Sequence, residues 1–406
     1  MVQQDLTQSE TTVDWVPEEG DFPGGVRSPE WINELARLRQ GCPVAHSDMF
    51  GGFHTLTRYA DVSKAALDFK TYRAGRPFVR VPGMKGLIPS GLNPPEHGIY
   101  RRVLNKYFTP ERMDAIRPRL RQYVIEGLEP LLTAGSGDIV QELCQPYPAR
   151  ALSALMNLGE DAHVKLLSHF ARFAEVGWDP EAMNELMFKV FAEHITNVVA
   201  ERRQQPLDPE QDILSGIMAM DVGGEPIRDE TVVAVGVALI GAGHATTADA
   251  LSTSIYRLAV DPYLQARLRR EPELIPQAVE EFLRLESPLP ERGRFANTDI
   301  ELHGTTIPEG SLVALNFGAA NLDPEEFDHP EACIISRSPN RHLAFGHGAH
   351  KCAGAPLARV ELAVALAELL ARTQNFELAG PTQNAEGLML NGISALPLRL
   401  TPARLP

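Results

Sequence analysis

The chain has 406 residues, of which 44% are hydrophobic and 22% charged, with a formal net charge of -15. That composition belongs to a folded globular protein, long enough for one large domain or two to three ordinary ones. The acidic balance opposes phosphate backbones and argues against nucleic-acid binding. Four cysteines are too few for a small secreted disulfide framework. The polar start shows no apolar signal core, and no run of 18 apolar residues is present, so the expectation is a cytoplasmic protein with reduced thiols and no membrane span.

Residues 1–27 are polar and carry Gly20, Pro23, Gly24 and Gly25, which predicts a flexible arm ahead of a single domain over 28–406. Ser28 with Pro29 predicts a helix start, followed by Leu35 and Leu38 at helical spacing. Residues 53–57 alternate and predict a strand after the turn at Gly51-Gly52; residues 59–67 predict a short helix. Residues 71–95 are rich in glycine and proline and carry Arg73, Arg76, Arg80 and Lys85 with no acid from 69 to 95. A loop of that length inside a compact chain is usually functional. From 96 to about 277 the pattern is mostly helical. Short strands follow over 297–316, ordered coil over 321–345, an apolar helix over 354–372 and strand over 392–401. Helix dominates, and the sequence shows no internal repeat.

Residues 345–354 read FGHGAHKCAG. Cys352 sits in a glycine-rich loop just before a helix with Pro356 in its first turn. Free N–H groups and the positive end of the helix dipole favour thiolate there. Three readings stay open from these residues. One is a buried free cysteine. Another is a zinc site using His347, His350 and Cys352, whose spacing matches no common finger. The third is an axial thiolate for haem iron, with Phe345 lying against the cofactor.

The segment resembles the cysteine-ligand loop of the cytochrome P450 family, F-x-x-G-x-x-x-C-x-G, at Phe345, Gly348, Cys352 and Gly354. Further family elements follow in order. Glu281 and Arg284 resemble the E-x-x-R helix, with Arg337 as its third member. Ala242, Gly243, Thr246 and Thr247 resemble A-G-x-(D/E)-T-T in a long helix over 229–260. Alanine stands at position 245, where the family has an acid. Residues 93–101 (NPPEHGIYR) resemble the D-P-P-E-H-x-x-x-R segment, with Asn93 replacing the acid.

The resemblance implies a mainly α fold with small β-sheets, a triangular helical prism whose long central helix crosses the haem. It implies a haem-thiolate monooxygenase that inserts one oxygen atom into a small or medium organic substrate by hydroxylation, O-dealkylation or epoxidation. Haem b is the implied cofactor, and Cys352 its iron ligand. Thr246 is implied as the organiser of oxygen and protons, Ala242 and Gly243 as part of the haem-facing helix, and His97, Arg101, Arg294 and His350 as propionate anchors. With no acid at 245, proton delivery falls to Thr246, ordered water or another group; His244 and Asp249 could substitute, but the favoured reading of both is structural. Substrate contacts are expected from Arg76, Arg80, Phe170, Ala238, Leu289 and Ile393; the two arginines suggest a substrate carboxylate. A separate ferredoxin and ferredoxin reductase are the expected electron donors, docking near Lys351, Arg102 and Lys106. Two other classes remain open: a peroxide-driven haem-thiolate enzyme, made conceivable by Ala245, and a non-catalytic haem sensor.

Overall fold

The computed structural model describes residues 29–84, 86–159, 161–176, 179–384 and 392–403. The expected arm at 1–27 and Lys85 lie outside the described residues. The helices that build the site are α1 (Glu96–Leu104), α2 (Pro110–Ala134), α3 (Ala162–Val176), α4 (Asp229–Gly243), α5 (Ala245–Val260), α6 (Ile275–Glu286) and α7 (Ala355–Arg372). The predicted elements over 29–41 and 59–67 also form, and Pro29 opens the first of them.

Spacing explains the packing. On α2, Leu120, Val124, Leu128 and Leu131 recur every three or four residues and are buried along one stripe. That stripe packs on α7, where Leu362, Leu366 and Leu369 are buried in turn. Gly135 ends α2 at φ 72°, a left-handed cap that glycine adopts without strain, and its N–H reaches the Leu131 carbonyl at 2.9 Å.

A five-stranded sheet flanks the helices. It is built from β1 (Val44–Ser47), β2 (Phe53–Leu56), β3 (Tyr72–Arg73), β4 (Glu291–Ala296) and β5 (Leu312–Asn316), in the order β1-β2-β5-β4-β3. The β2–β5 pair is parallel and the others antiparallel. Strand β3 touches β4 through Tyr72↔Ala296 and Arg73↔Phe295, which ties the basic loop to the strand carrying Arg294.

Helices α4 and α5 run nearly end to end. The stretch Asp229–Val260 is apolar and long enough, by length and composition, to cross a membrane, so the absence of an 18-residue apolar run does not exclude it. Half of its most apolar window is buried inside the protein. The helix is broken at His244 (φ -90°, ψ -73°), between Gly243 and Ala245.

Candidate functional site

The cysteine loop folds back on itself. The Cys352 amide donates to the Phe345 carbonyl at 2.8 Å, and the Lys351 amide to Gly348 at 3.1 Å. Gly346 and Gly348 both adopt φ 67°. Gly348 is required twice over, because an added Cβ would lie 2.7 Å from the Ala66 carbonyl oxygen. Cys352 is a free cysteine at the start of α7, its thiol enclosed by protein. The protein around it pushes its thiol up by burial. The Gly354 and Ala355 amides, Arg101 and Arg292 pull it down. For the free thiol burial outweighs them, while the helix-end amides act in the direction the sequence implies. A bound metal would displace the proton outright.

The second family element is the break between α4 and α5. Ala242 is exposed and Gly243, Ala245 and Thr246 half-buried, within a stretch whose neighbours are largely buried. The Thr246 hydroxyl donates to the Ala242 carbonyl at 2.9 Å, and Thr247 to Gly243 at 3.2 Å. The two glycines serve packing. A Cβ on Gly241 would meet Met187, and one on Gly243 would meet Leu152, each at 2.7 Å.

His244 points into the protein. It is 1% exposed, bonded through Nε2 to the Gln145 carbonyl at 2.9 Å, and stacked on Phe170 at 3.7 Å. Burial pulls its pKa down to about 4, so it is neutral and an unsuitable proton source. Asp249 is also buried, packed on Gly392, and burial pushes its carboxyl up to about 7.

A cluster of bases lines the same region. The His97 and His350 rings lie 4.3 Å apart. Arg294 is 7% exposed and bonds only its neighbour's carbonyl, at 2.8 Å. Arg292 lies over the Phe78 ring at 4.6 Å. Burial brings both arginines down to about 10, and His97 and His350 to about 4 and 3; neighbouring cations add to the effect at Arg292, His97 and His350. Among the described residues none of the four forms an ion pair with a carboxylate. The buried His350 Nε2 has no hydrogen-bond partner. Arg101 bonds the Lys351 carbonyl at 2.7 Å, which places it on the cysteine side of the cluster. Buried cations without anions are costly. The set therefore fits a ligand with more than one negative group.

The family model for cytochrome P450 matches residues 141–400. The chain belongs to the cytochrome P450 family. Cytochrome P450 107B1 of Saccharopolyspora erythraea is 32% identical over 388 residues, covering 90% of this chain and 94% of the relative. Mycinamicin IV hydroxylase/epoxidase of Micromonospora griseorubida is 32% identical over 360 residues, covering 84% and 88%. The crystal structure of CYP108D1 from Novosphingobium aromaticivorans has a TM-score of 0.81 at 27% identity, covering 92% and 95%. The fold is thus the P450 fold, and the protein is a haem-thiolate monooxygenase that binds iron protoporphyrin IX and uses redox partners.

The residues of this P450 fit haem on their own terms. A thiol stands at a helix start, and the bases around it, without carboxylate partners among the described residues, suit the two propionates. Beneath it, Glu281 and Arg284 pair at 2.8 Å with neither side chain exposed. Arg337 joins them at 3.2 Å, as its sequence position implies. Arg292 escaped the sequence reading, although strand alternation puts it on the same face as Arg294.

The expected substrate contacts fare less evenly. Arg80 is 4% exposed and paired with Glu291 at 3.1 Å, and Arg76 bonds the Phe50, Phe78 and Val79 carbonyls. Neither guanidinium is offered to a substrate carboxylate, because internal partners already hold both. Phe170 is stacked on His244. Ile393 is 1% exposed, its amide on Ser252 Oγ, so it belongs to the core. Leu289 is half-buried in the turn before β4, and Ala238 is 9% exposed on α4 one turn before Ala242.

Proposed function

We propose that this P450 hydroxylates or epoxidises an apolar organic molecule of small or medium size, in the cytoplasm, with electrons from a ferredoxin and its reductase. The observation that carries the site assignment is the set of buried bases His97, Arg292, Arg294 and His350, none with a carboxylate partner among the described residues, gathered around the glycine-rich Cys352 loop. The haem, when bound, supplies oxygen activation and one-electron chemistry. Cys352 holds it from one side. His97, Arg292, Arg294 and His350 hold its propionates, and Arg101 supports the cysteine side through the Lys351 carbonyl. Thr246 keeps its hydroxyl proton on Ala242, which leaves its oxygen free to accept from water and to orient it. Ala238, Ala242 and Leu289 give the substrate space an apolar wall and help exclude water.

The test is turnover with a ferredoxin, its reductase and NADH, after a substrate library is screened by the change in iron spin state in the visible spectrum. Product that requires the donors is expected. Ala245 favours one second reading, a peroxide-driven enzyme. Turnover supported by peroxide and not by the donor system replaces the first reading with the second.

A further inference from the structure

Glu280 is the neighbour of the buried clamp residue Glu281 and has a separate set of partners. Its carboxylate accepts a two-pronged bond from Arg359 of α7, Nε at 2.7 Å and Nη2 at 2.8 Å. His342 Nε2 lies 3.0 Å from the same carboxylate. His342 Nδ1 accepts the Ala344 amide at 3.2 Å, so the imidazole carries its proton on Nε2 and donates it to Glu280. The His342 side chain is 2% exposed. Thus held, the Arg359 guanidinium lies 4.6 Å from the centre of the Phe345 ring, within cation–π range. Phe345 in turn accepts the Cys352 amide through its carbonyl. Arg359 and Cys352 also line one pocket of about 220 Å³.

A surface arginine that only stapled α6 to α7 would need Glu280 alone. Here a second tether, His342, fixes the carboxylate, and the fork aims the charge at the ring of the residue whose carbonyl takes the Cys352 amide. A fixed cation near a thiolate draws electron density from it and favours the less positive state of the metal that it binds.

We propose that Arg359, aimed by Glu280 and His342, is a positioning residue that raises the electron affinity of the haem by holding its charge and the Phe345 ring beside Cys352. The proposal rests on the haem-thiolate reading of Cys352.

The test compares the one-electron reduction potential and the Soret band of the reduced carbon monoxide complex in four holoproteins: wild type, Arg359→Gln, Arg359→Lys and Glu280→Gln. Arg359→Gln is expected to shift the ferric–ferrous equilibrium about tenfold toward ferric, about 59 mV for one electron. Arg359→Lys restores part of the shift, because the charge returns without the fork. Glu280→Gln gives a smaller fall, because the charge remains but is no longer aimed. Unchanged or raised potentials in Arg359→Gln and Glu280→Gln overturn the proposal and leave the network as a staple between helices. Should Arg359→Gln fail to take up haem, Glu280→Gln decides alone: a lowered potential supports the idea and an unchanged one sinks it. A wild-type protein without the thiolate Soret band would instead refute the assignment of Cys352.

Discussion

Glu281 and Arg284 meet at 2.8 Å on one turn of helix, sealed from solvent on every side. The arginine also donates to the Asn321, Pro330 and Ala332 carbonyls, and the glutamate accepts from Ile334, Arg337 and Asn340. The pair thus anchors the coil that leads to the cysteine loop. Removing one partner leaves a buried charge alone, at a cost of about 3–5 kcal/mol. Glu281→Ala and Arg284→Ala are each expected to lower denaturant stability by that amount and to abolish haem retention. Wild-type unfolding midpoints in either variant would show that the coil is held by other means.

Asp249 gives a pH signature. Its folded pKa, about 7, stands above the ordinary carboxylate value of 3.8, so the folded state holds the proton more tightly. Stability from this group is complete below about pH 4 and falls as pH rises toward 7. Asn at this position cannot ionise. Asp249→Asn is therefore expected to match the wild type at pH 4 and to exceed its unfolding free energy at pH 8 by up to ~4 kcal/mol. Cys144 is the titratable neighbour on the facing element, and its own pKa is pushed further up by burial. Parallel pH profiles for the two proteins would place the titration elsewhere.

Thr246 can be separated from mere helix packing. Thr246→Ala removes the hydroxyl that closes the Ala242 carbonyl but leaves the break at His244 to its backbone. Product formation is expected to fall about 10²-fold while substrate still produces the spin-state change. Thr246→Ser restores the hydroxyl and most of the rate. Equal turnover in all three would remove Thr246 from the mechanism.

The Arg80–Glu291 pair is a matter of stability. Both side chains are almost fully buried. Arg80→Ala is expected to cost about 3–5 kcal/mol and to leave the ranking of carboxylate over neutral ligands unchanged. A selective loss of carboxylate binding in a folded Arg80→Ala protein would restore the role that the sequence suggested for it.

Arg292→Leu tests the cluster of bases. It removes one unpaired cation and preserves bulk on β4. Haem transfer to an acceptor apoprotein is expected to be faster by about tenfold, a charge-assisted bond lost. Wild-type transfer rates would mean that Arg292 faces no propionate.

The legible parts of this protein are those encoded within a few residues. Glu281 and Arg284 share a helix face because they are three apart, and the helix over 59–67 forms between the expected residues. Arg294 was found by its resemblance; Arg292 was missed, although strand alternation places it on the same face. What escaped depends on pairing across the chain. The basic excess over 71–95 looked like a ligand site because its neutralising partner, Glu291, lies 211 residues from Arg80. The Glu280–Arg359 bond spans 79 residues, and no local spacing announces it. Likewise, nothing local to His244 shows that Phe170 and Gln145 enclose it.

Gly348 presses its backbone onto the Ala66 carbonyl with no room for a methyl group. The heart of this protein is therefore not a portable cassette. A designer who exchanges residues 345–354 for those of a cousin must bring along the matching turn of helix at 59–67, or inherit a seam that no longer closes.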